Sequence, residues 1–147
     1  TVCPGGGLSD PASVRLEDCR CGSGTFGDVA SGDDCDDCPP DTYQPMAGQT
    51  SCLACTPNSV SPAGSWYAGD CTCVAGFYGQ TPLGGGNGTC VTCPADSSSA
   101  QGSTAVSDCA CNPGFSGNPG IGEACASCDG TSFSWVSSEY CSCNAGY

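Results

Sequence analysis

No window of the chain repeats apolar residues at helical spacing, so no amphipathic helix is predicted anywhere. Brief runs such as "TYQPMAG" and "SFSWVSSEYCSC" instead fit short two-stranded ribbons, with coil between them. No stretch approaches the roughly 18 consecutive apolar residues needed to cross a bilayer, so direct membrane insertion of this segment is not expected. Hydrophobic residues make up 38% of the chain, but cysteines are among them. The Leu, Ile and Phe that remain are too few to fill one ordinary core.

Composition explains what takes the place of a core. Cysteine supplies 17 of 147 residues, while 23 glycines and 11 prolines indicate a backbone made mainly of turns. At that density, covalent staples must replace apolar burial. They require an oxidising compartment, because cytosolic reductants would hold the thiols open. An extracellular or cell-surface location follows. The expected fold class is small and disulfide-rich: tandem cysteine-rich modules with short β-hairpins and mostly coil, arranged as an elongated rod of units that touch only their neighbours. Glycine-rich joints such as residues 84–88 would bend it.

Charge narrows the function. Fifteen acids face two cations, Arg15 and Arg20, for a net charge of -13, and the chain has no Lys or His. Nucleic acid is therefore not an expected partner, since nothing here forms a basic patch for phosphate. Without His or Lys the usual general bases and Schiff-base nucleophiles are missing, and no metalloprotease, nucleophile-elbow or phosphate-loop motif is present. No catalytic residue is assigned, and the chain is not expected to be an enzyme.

Internal repetition is the strongest signal. Two cysteine doublets recur. The CxxC form is "CDDC" at Cys35 and Cys38, "CLAC" at Cys52 and Cys55, "CVTC" at Cys90 and Cys93, and "CASC" at Cys125 and Cys128. The CxC form begins at Cys19, Cys71, Cys109 and Cys141. The forms alternate except in "CDDCPPDTYQPMAGQTSCLAC", where two CxxC doublets follow one another. After each CxC comes a glycine signature: "CGSGTFG", "CVAGFYG", "CNPGFSG" and a final "CNAGY". A tight turn explains Gly24, Gly76, Gly114 and Gly146, and also Gly27, Gly79 and Gly117, through positive φ or close backbone approach. The aromatics between them, Phe26, Phe77, Phe115 and Tyr147, would cover a neighbouring disulfide or the next unit, with carbohydrate stacking by exposed rings as the functional alternative.

These motifs carry a resemblance. The "CxCxxGFxG" segments resemble the C-terminal half of an EGF-like module, and "CPPDTYQPMAGQTSCLAC" resembles the ephrin-receptor-like cysteine-rich repeat. Such tandem repeats occur in matrix, receptor and protist flagellar-hair (mastigoneme-like) proteins. No complete six-cysteine EGF unit can be marked out. The resemblance implies that the second cysteine of each CxC bonds forward: Cys21 with Cys35, Cys73 with Cys90, Cys111 with Cys125. The remaining cysteines would then pair as Cys3 with Cys19, Cys38 with Cys52, Cys55 with Cys71, Cys93 with Cys109, and Cys128 with Cys141. Interleaved bonds within a CxxC-to-CxC segment are the rival, because sequence alone does not fix pairing. Each loop of about 15 residues would contribute about 3 kcal/mol by restricting the unfolded chain.

Under this pairing Cys143 is left unpaired or bonds to another unit, and both ends of the sequence are expected to fall inside repeats. The implied organisation is a partial cysteine-rich repeat at 1–34, a short ephrin-receptor-like insert at 35–54, EGF-like or cysteine-rich repeats at 55–92 and 93–127, and a truncated repeat at 128–147.

Three ligand readings remain. Cys35, Cys38, Cys52 and Cys55 are spaced like a zinc ribbon, but the same doublets continue at disulfide-like spacing through a chain without His. Asp33, Asp34, Asp36, Asp37 and Asp41 lie close together, and hard cations prefer carboxylate oxygens. Calcium at a module joint is the functional reading, and a solvated acidic turn is the bland one. No other cofactor is expected. Asn87, Gly88 and Thr89 form an N-glycosylation sequon in a glycine-rich loop, and "TPNSVSPAGS" and "ADSSSAQGST" could carry O-linked sugars.

The expected function is structural: a repeat protein of an extracellular glycosylated filament or cell-surface appendage, with copies of itself or further repeats, and covalent glycans, as partners. The alternative is a ligand-binding or adhesion ectodomain of a receptor. A ligand surface would present Trp66, Tyr67 or Trp135 outward.

Overall fold

A computed structural model describes residues 3, 5–13, 15–80, 88–130, 132–134 and 140–143, with backbone alone at 133 and 143. Gly84, Asn87, Trp135, Gly146 and Tyr147 lie outside the described residues. The chain divides into two compact units, one taking in the described residues through Cys71 and the other those from Thr72 onward.

Every strand is two residues long. In the first unit these are β1 (Thr25–Phe26), β2 (Asp36–Asp37), β3 (Thr42–Tyr43), β4 (Leu53–Ala54) and β5 (Ser59–Val60). In the second they are β6 (Thr72–Cys73), β7 (Phe77–Tyr78), β8 (Val91–Thr92), β9 (Ser97–Ser98), β10 (Ala110–Cys111), β11 (Phe115–Ser116), β12 (Ala126–Ser127), β13 (Ser132–Phe133) and β14 (Ser142–Cys143). Antiparallel hairpins join β1 to β2 and β3 to β4 in the first unit, and β7 to β8, β9 to β10, β11 to β12 and β13 to β14 in the second. Short 3-10 turns, Leu16–Asp18, Val29–Ser31, Ala68–Asp70, Val106–Asp108 and Pro119–Ile121, are the other regular elements among the described residues.

Eight disulfides hold these pieces: Cys3–Cys19, Cys21–Cys35, Cys38–Cys52, Cys55–Cys71, Cys73–Cys90, Cys93–Cys109, Cys111–Cys125 and Cys128–Cys141. They are the pairs the EGF-like resemblance implies, and no two are interleaved. Cα atoms across each bond are 5.3 to 5.8 Å apart, inside the ordinary disulfide range. Cys35, Cys38, Cys52 and Cys55 are spent in three of these bonds, which removes the zinc-ribbon arrangement.

One rule positions all six hairpins. The first cysteine of each bond, such as Cys38, precedes the outgoing strand by a short turn, and its partner, such as Cys52, stands immediately before the return strand. The residues inside a CxxC doublet are therefore the return strand itself: Asp36–Asp37, Leu53–Ala54, Val91–Thr92 and Ala126–Ser127. These four strands are exposed at both residues, so cross-links and not burial hold them in place. Buried hydrophobic residues among those described are cysteines and Val29, which packs with Cys19 and Cys21 and against Cys3 and Cys35.

The turn after each first cysteine has its own requirement. Gly24, Asp41, Asn58, Gly76, Asp96 and Gly114 all have φ between 58° and 88°. Each is third in a four-residue turn closed by hydrogen bonds such as Thr42 N–H to Pro39 O (3.2 Å) and Phe115 N–H to Asn112 O (3.0 Å). A positive φ at that position is the mark of a type II turn, which favours Gly or Asn there and Pro just before it. Pro40, Pro57 and Pro113 occupy the preceding position. Two sequence motifs that look different, "CPPD" or "CTPN" and "CNPG" or "CVAG", thus build the same turn.

The second glycine of the signature has a different cause. A Cβ on Gly27, Gly79 or Gly117 would stand 2.3, 2.2 or 2.5 Å from the carbonyl oxygen of Asp34, Thr89 or Ala124, the residue just before the partner cysteine. A Cβ on Gly76, by contrast, would meet nothing within 4 Å. Gly76→Ala should therefore cost only the left-handed backbone penalty, about 1–2 kcal/mol. Gly79→Ala should cost more, because it adds a clash with the backbone that closes the hairpin. Guanidinium unfolding of the disulfide-intact chain checks the order.

Candidate functional site

Four of the turns described above also join successive hairpins. Gly24 N–H donates to Gln44 O (2.7 Å), Asp41 N–H to Ser61 O (3.0 Å), Gly76 N–H to Ser99 O (2.9 Å) and Gly114 N–H to Ser134 O (3.4 Å). Their carbonyls accept in return: Gly24 O from Cys38 N–H, Asp41 O from Cys55 N–H, Gly76 O from Cys93 N–H and Gly114 O from Cys128 N–H, all at 2.8 to 2.9 Å.

A third bond completes the joint. Ser61, Ser99 and Ser134 each follow an outgoing strand, and each is buried. Their hydroxyls donate back to the preceding hairpin, Ser61 Oγ to Thr42 O (3.0 Å), Ser99 Oγ to Phe77 O (2.8 Å) and Ser134 Oγ to Phe115 O. Gln44 takes the equivalent place in the first unit and donates through Nε2 to Ser51 O (2.7 Å). Ser59 and Ser65 are buried as well, donating to Thr56 O and Pro62 O. The two serine-rich tracts read as O-glycan acceptors thus have Ser59, Ser61, Ser65 and Ser99 committed to the fold.

The acidic run serves several purposes. Asp41 is a turn residue whose backbone carries a joint. Asp33, Asp34 and Asp36 line a groove of about 340 Å³ with Phe26, Gly27, Thr50 and Asp28, the last of which the sequence reading did not include. Asp37, on the opposite face of β2, lies against Gly64. Among the described residues, no three His, Cys, Asp or Glu side chains form a group that could hold a metal ion. Phe26, Phe77 and Phe115 are half-buried.

Three described aromatics face solvent: Tyr140, 80% exposed, and the pair Trp66 and Tyr67, 58% and 36% exposed, with ring centroids 5.0 Å apart and planes inclined at 36°. Asp70 holds their backbone, its Oδ2 accepting from Trp66 N–H (3.1 Å) and Tyr67 N–H (3.2 Å). Asp108 does the same for Thr104 (2.8 Å) and Ala105 (3.0 Å) in the second unit, and Asp18 accepts from Arg15 N–H (3.3 Å). Asn87 and Trp135 lie outside the described residues, as does the Cys143 side chain. The other sixteen cysteines are bonded to one another.

Comparison with known proteins agrees with this architecture. Residues 24–71 match the family described as tyrosine-protein kinase ephrin type A/B receptor-like. That segment, which holds β1 to β5, is an ephrin-receptor-like cysteine-rich repeat. No curated protein and no solved structure matches the chain. The family and the disulfides point to an extracellular or cell-surface cysteine-rich module. The family is not a class of enzymes.

The N–H groups of Ala105 and Thr104 hold the Asp108 carboxyl below its ordinary value of 3.8. The Ser31 hydroxyl, with the Ser31 and Ala30 N–H groups, does the same for Asp28. A depressed carboxylate contributes stability that is present above its unfolded pKa and is lost as pH falls through the lower folded value. Acidification below pH 3.8 should therefore open the Asp108 turn while the disulfides persist. Carbon-detected NMR titration of Asp108, with Asp108→Asn as reference, reads this directly.

Proposed function

We propose that the chain belongs to the structural repeat region of an extracellular glycosylated filament or cell-surface appendage, which self-assembles through stacked, disulfide-stapled hairpins. What supports this reading is the iteration of one joint. A left-handed turn residue donates to and accepts from the next hairpin, and a buried serine returns a third bond. The joint uses backbone groups and a hydroxyl, so it extends with little dependence on the exposed side chains. Asn87 would carry a glycan on such a surface. The test is sedimentation velocity of the oxidised chain across a range of concentrations. Species heavier than 14.4 kDa that grow with concentration are expected, and a single 14.4 kDa species throughout would overturn the reading.

One observation favours a second reading, a ligand-binding or adhesion ectodomain. Trp66 and Tyr67 stand outward as a pair, where a chain with almost no core would be expected to bury its largest rings.

A further inference from the structure

The two units contain an internal control for the aromatic pair. The 3-10 turn Ala68–Asp70 is closed by Asp70 accepting from residues 66 and 67, and the turn Val106–Asp108 is closed by Asp108 accepting from residues 104 and 105. Thr104 and Ala105 fill the second turn, so the geometry itself does not need Trp and Tyr. The aromatics at 66 and 67 are an addition to a turn that forms without them.

Their placement is fixed. A Cβ on Gly69 would fall 2.3 Å from the Tyr67 phenol, so only glycine lets that ring lie across the turn. The Trp66 Cβ packs on Gly24, at 3.4 Å from the point where a Cβ there would stand. The surroundings are acidic. The Asp37 carboxylate lies 3.6 Å from the corresponding point on Gly64, and Asp70 sits under the pair. Residues 1–71 hold ten carboxylates and two arginines. Both arginines are engaged, Arg15 with Glu17 (2.7 Å) and Arg20 with Asp10 (2.8 Å).

We propose that the Trp66–Tyr67 face is a docking surface for a lysine- or arginine-presenting segment of another protein. The rings receive the cation on their faces, and the neighbouring carboxylates supply the long-range attraction. Charge complementarity selects this occupant. The chain has no lysine and its two arginines are paired, so a second copy brings no free cation to the site. The inference rests on the ectodomain reading and deepens it by naming the chemistry of the partner.

The test uses the oxidised full chain with fluorescently labelled heptalysine at physiological ionic strength, and chitotriose as a neutral sugar probe. Trp66→Thr with Tyr67→Ala copies the natural turn at 104–105, so the fold is retained and the charge is unchanged. This variant should weaken heptalysine binding about tenfold, while Trp66→Phe stays close to the parent. Equal heptalysine binding by parent and double variant would overturn the proposal, reducing the effect to net charge. Ring-dependent binding of chitotriose without heptalysine would also overturn it, while keeping the ectodomain reading. Binding of neither probe would sink both.

Discussion

The rest of the structure depends on the exchange of apolar burial for cross-linking. Apart from Val29, the buried hydrophobic residues described are cysteines, and the return strands of four hairpins are exposed at both residues. A two-residue strand pair has no independent stability in water. Each one exists because a disulfide brings its two arms together at the base, removing loop-closure entropy that the pair could not otherwise overcome. The side chains of the hairpins are thereby released from packing duty. That is why the chain tolerates a net charge of -13 and long polar stretches.

Cross-links alone would leave a string of independent loops. The left-handed residues Gly24, Asp41, Gly76 and Gly114 tie neighbouring hairpins together, because each offers both its N–H and its carbonyl to the next one. Gly meets this requirement at the lowest cost, and Asp and Asn are the other residues that adopt positive φ most readily. The buried serines then donate to carbonyls of the preceding hairpin's outgoing strand, which satisfies their own hydroxyls. Stability in this fold is local and repeated, and each joint contributes a few hydrogen bonds.

The disulfide framework was legible through the EGF-like resemblance that the "CxCxxGFxG" signature carries as a linear pattern, while spacing alone left interleaved pairing open. The short hairpins at Thr42–Tyr43 and Ser132–Phe133 were legible too, as brief runs between turn residues. The joints were not. Asp41 stood in an acidic run and read as a cation ligand, although its left-handed backbone is its structural contribution. Ser61 and Ser99 read as sugar acceptors, since their partners Thr42 and Phe77 lie 19 and 22 residues away. Only the folded register brings them together. The signal that could have found them is the Gly, Asp or Asn three positions after Cys21, Cys38, Cys55, Cys73, Cys93 and Cys111, which a search for one residue type passes over. Asp28 was missed for a similar reason, being outside the run whose groove it shares.

The segment 24–71 that matches the ephrin-receptor-like family and the hairpins after it are built in the same way, from polar turns closed by cross-links. All of it rests on a disulfide ladder in which six of the eight bonds each close one of these hairpins and no two bonds interleave. Peptic digestion of the unreduced protein at acid pH, which suppresses thiol exchange, followed by mass spectrometry of the linked peptides, tests that ladder most directly. The prediction is separate cross-linked pairs for Cys38–Cys52 and Cys55–Cys71, with no species joining Cys38 to Cys55 or Cys71. A Cys38–Cys71 or Cys52–Cys71 linkage would contradict the ladder, and with it the repeated joint on which the functional reading stands.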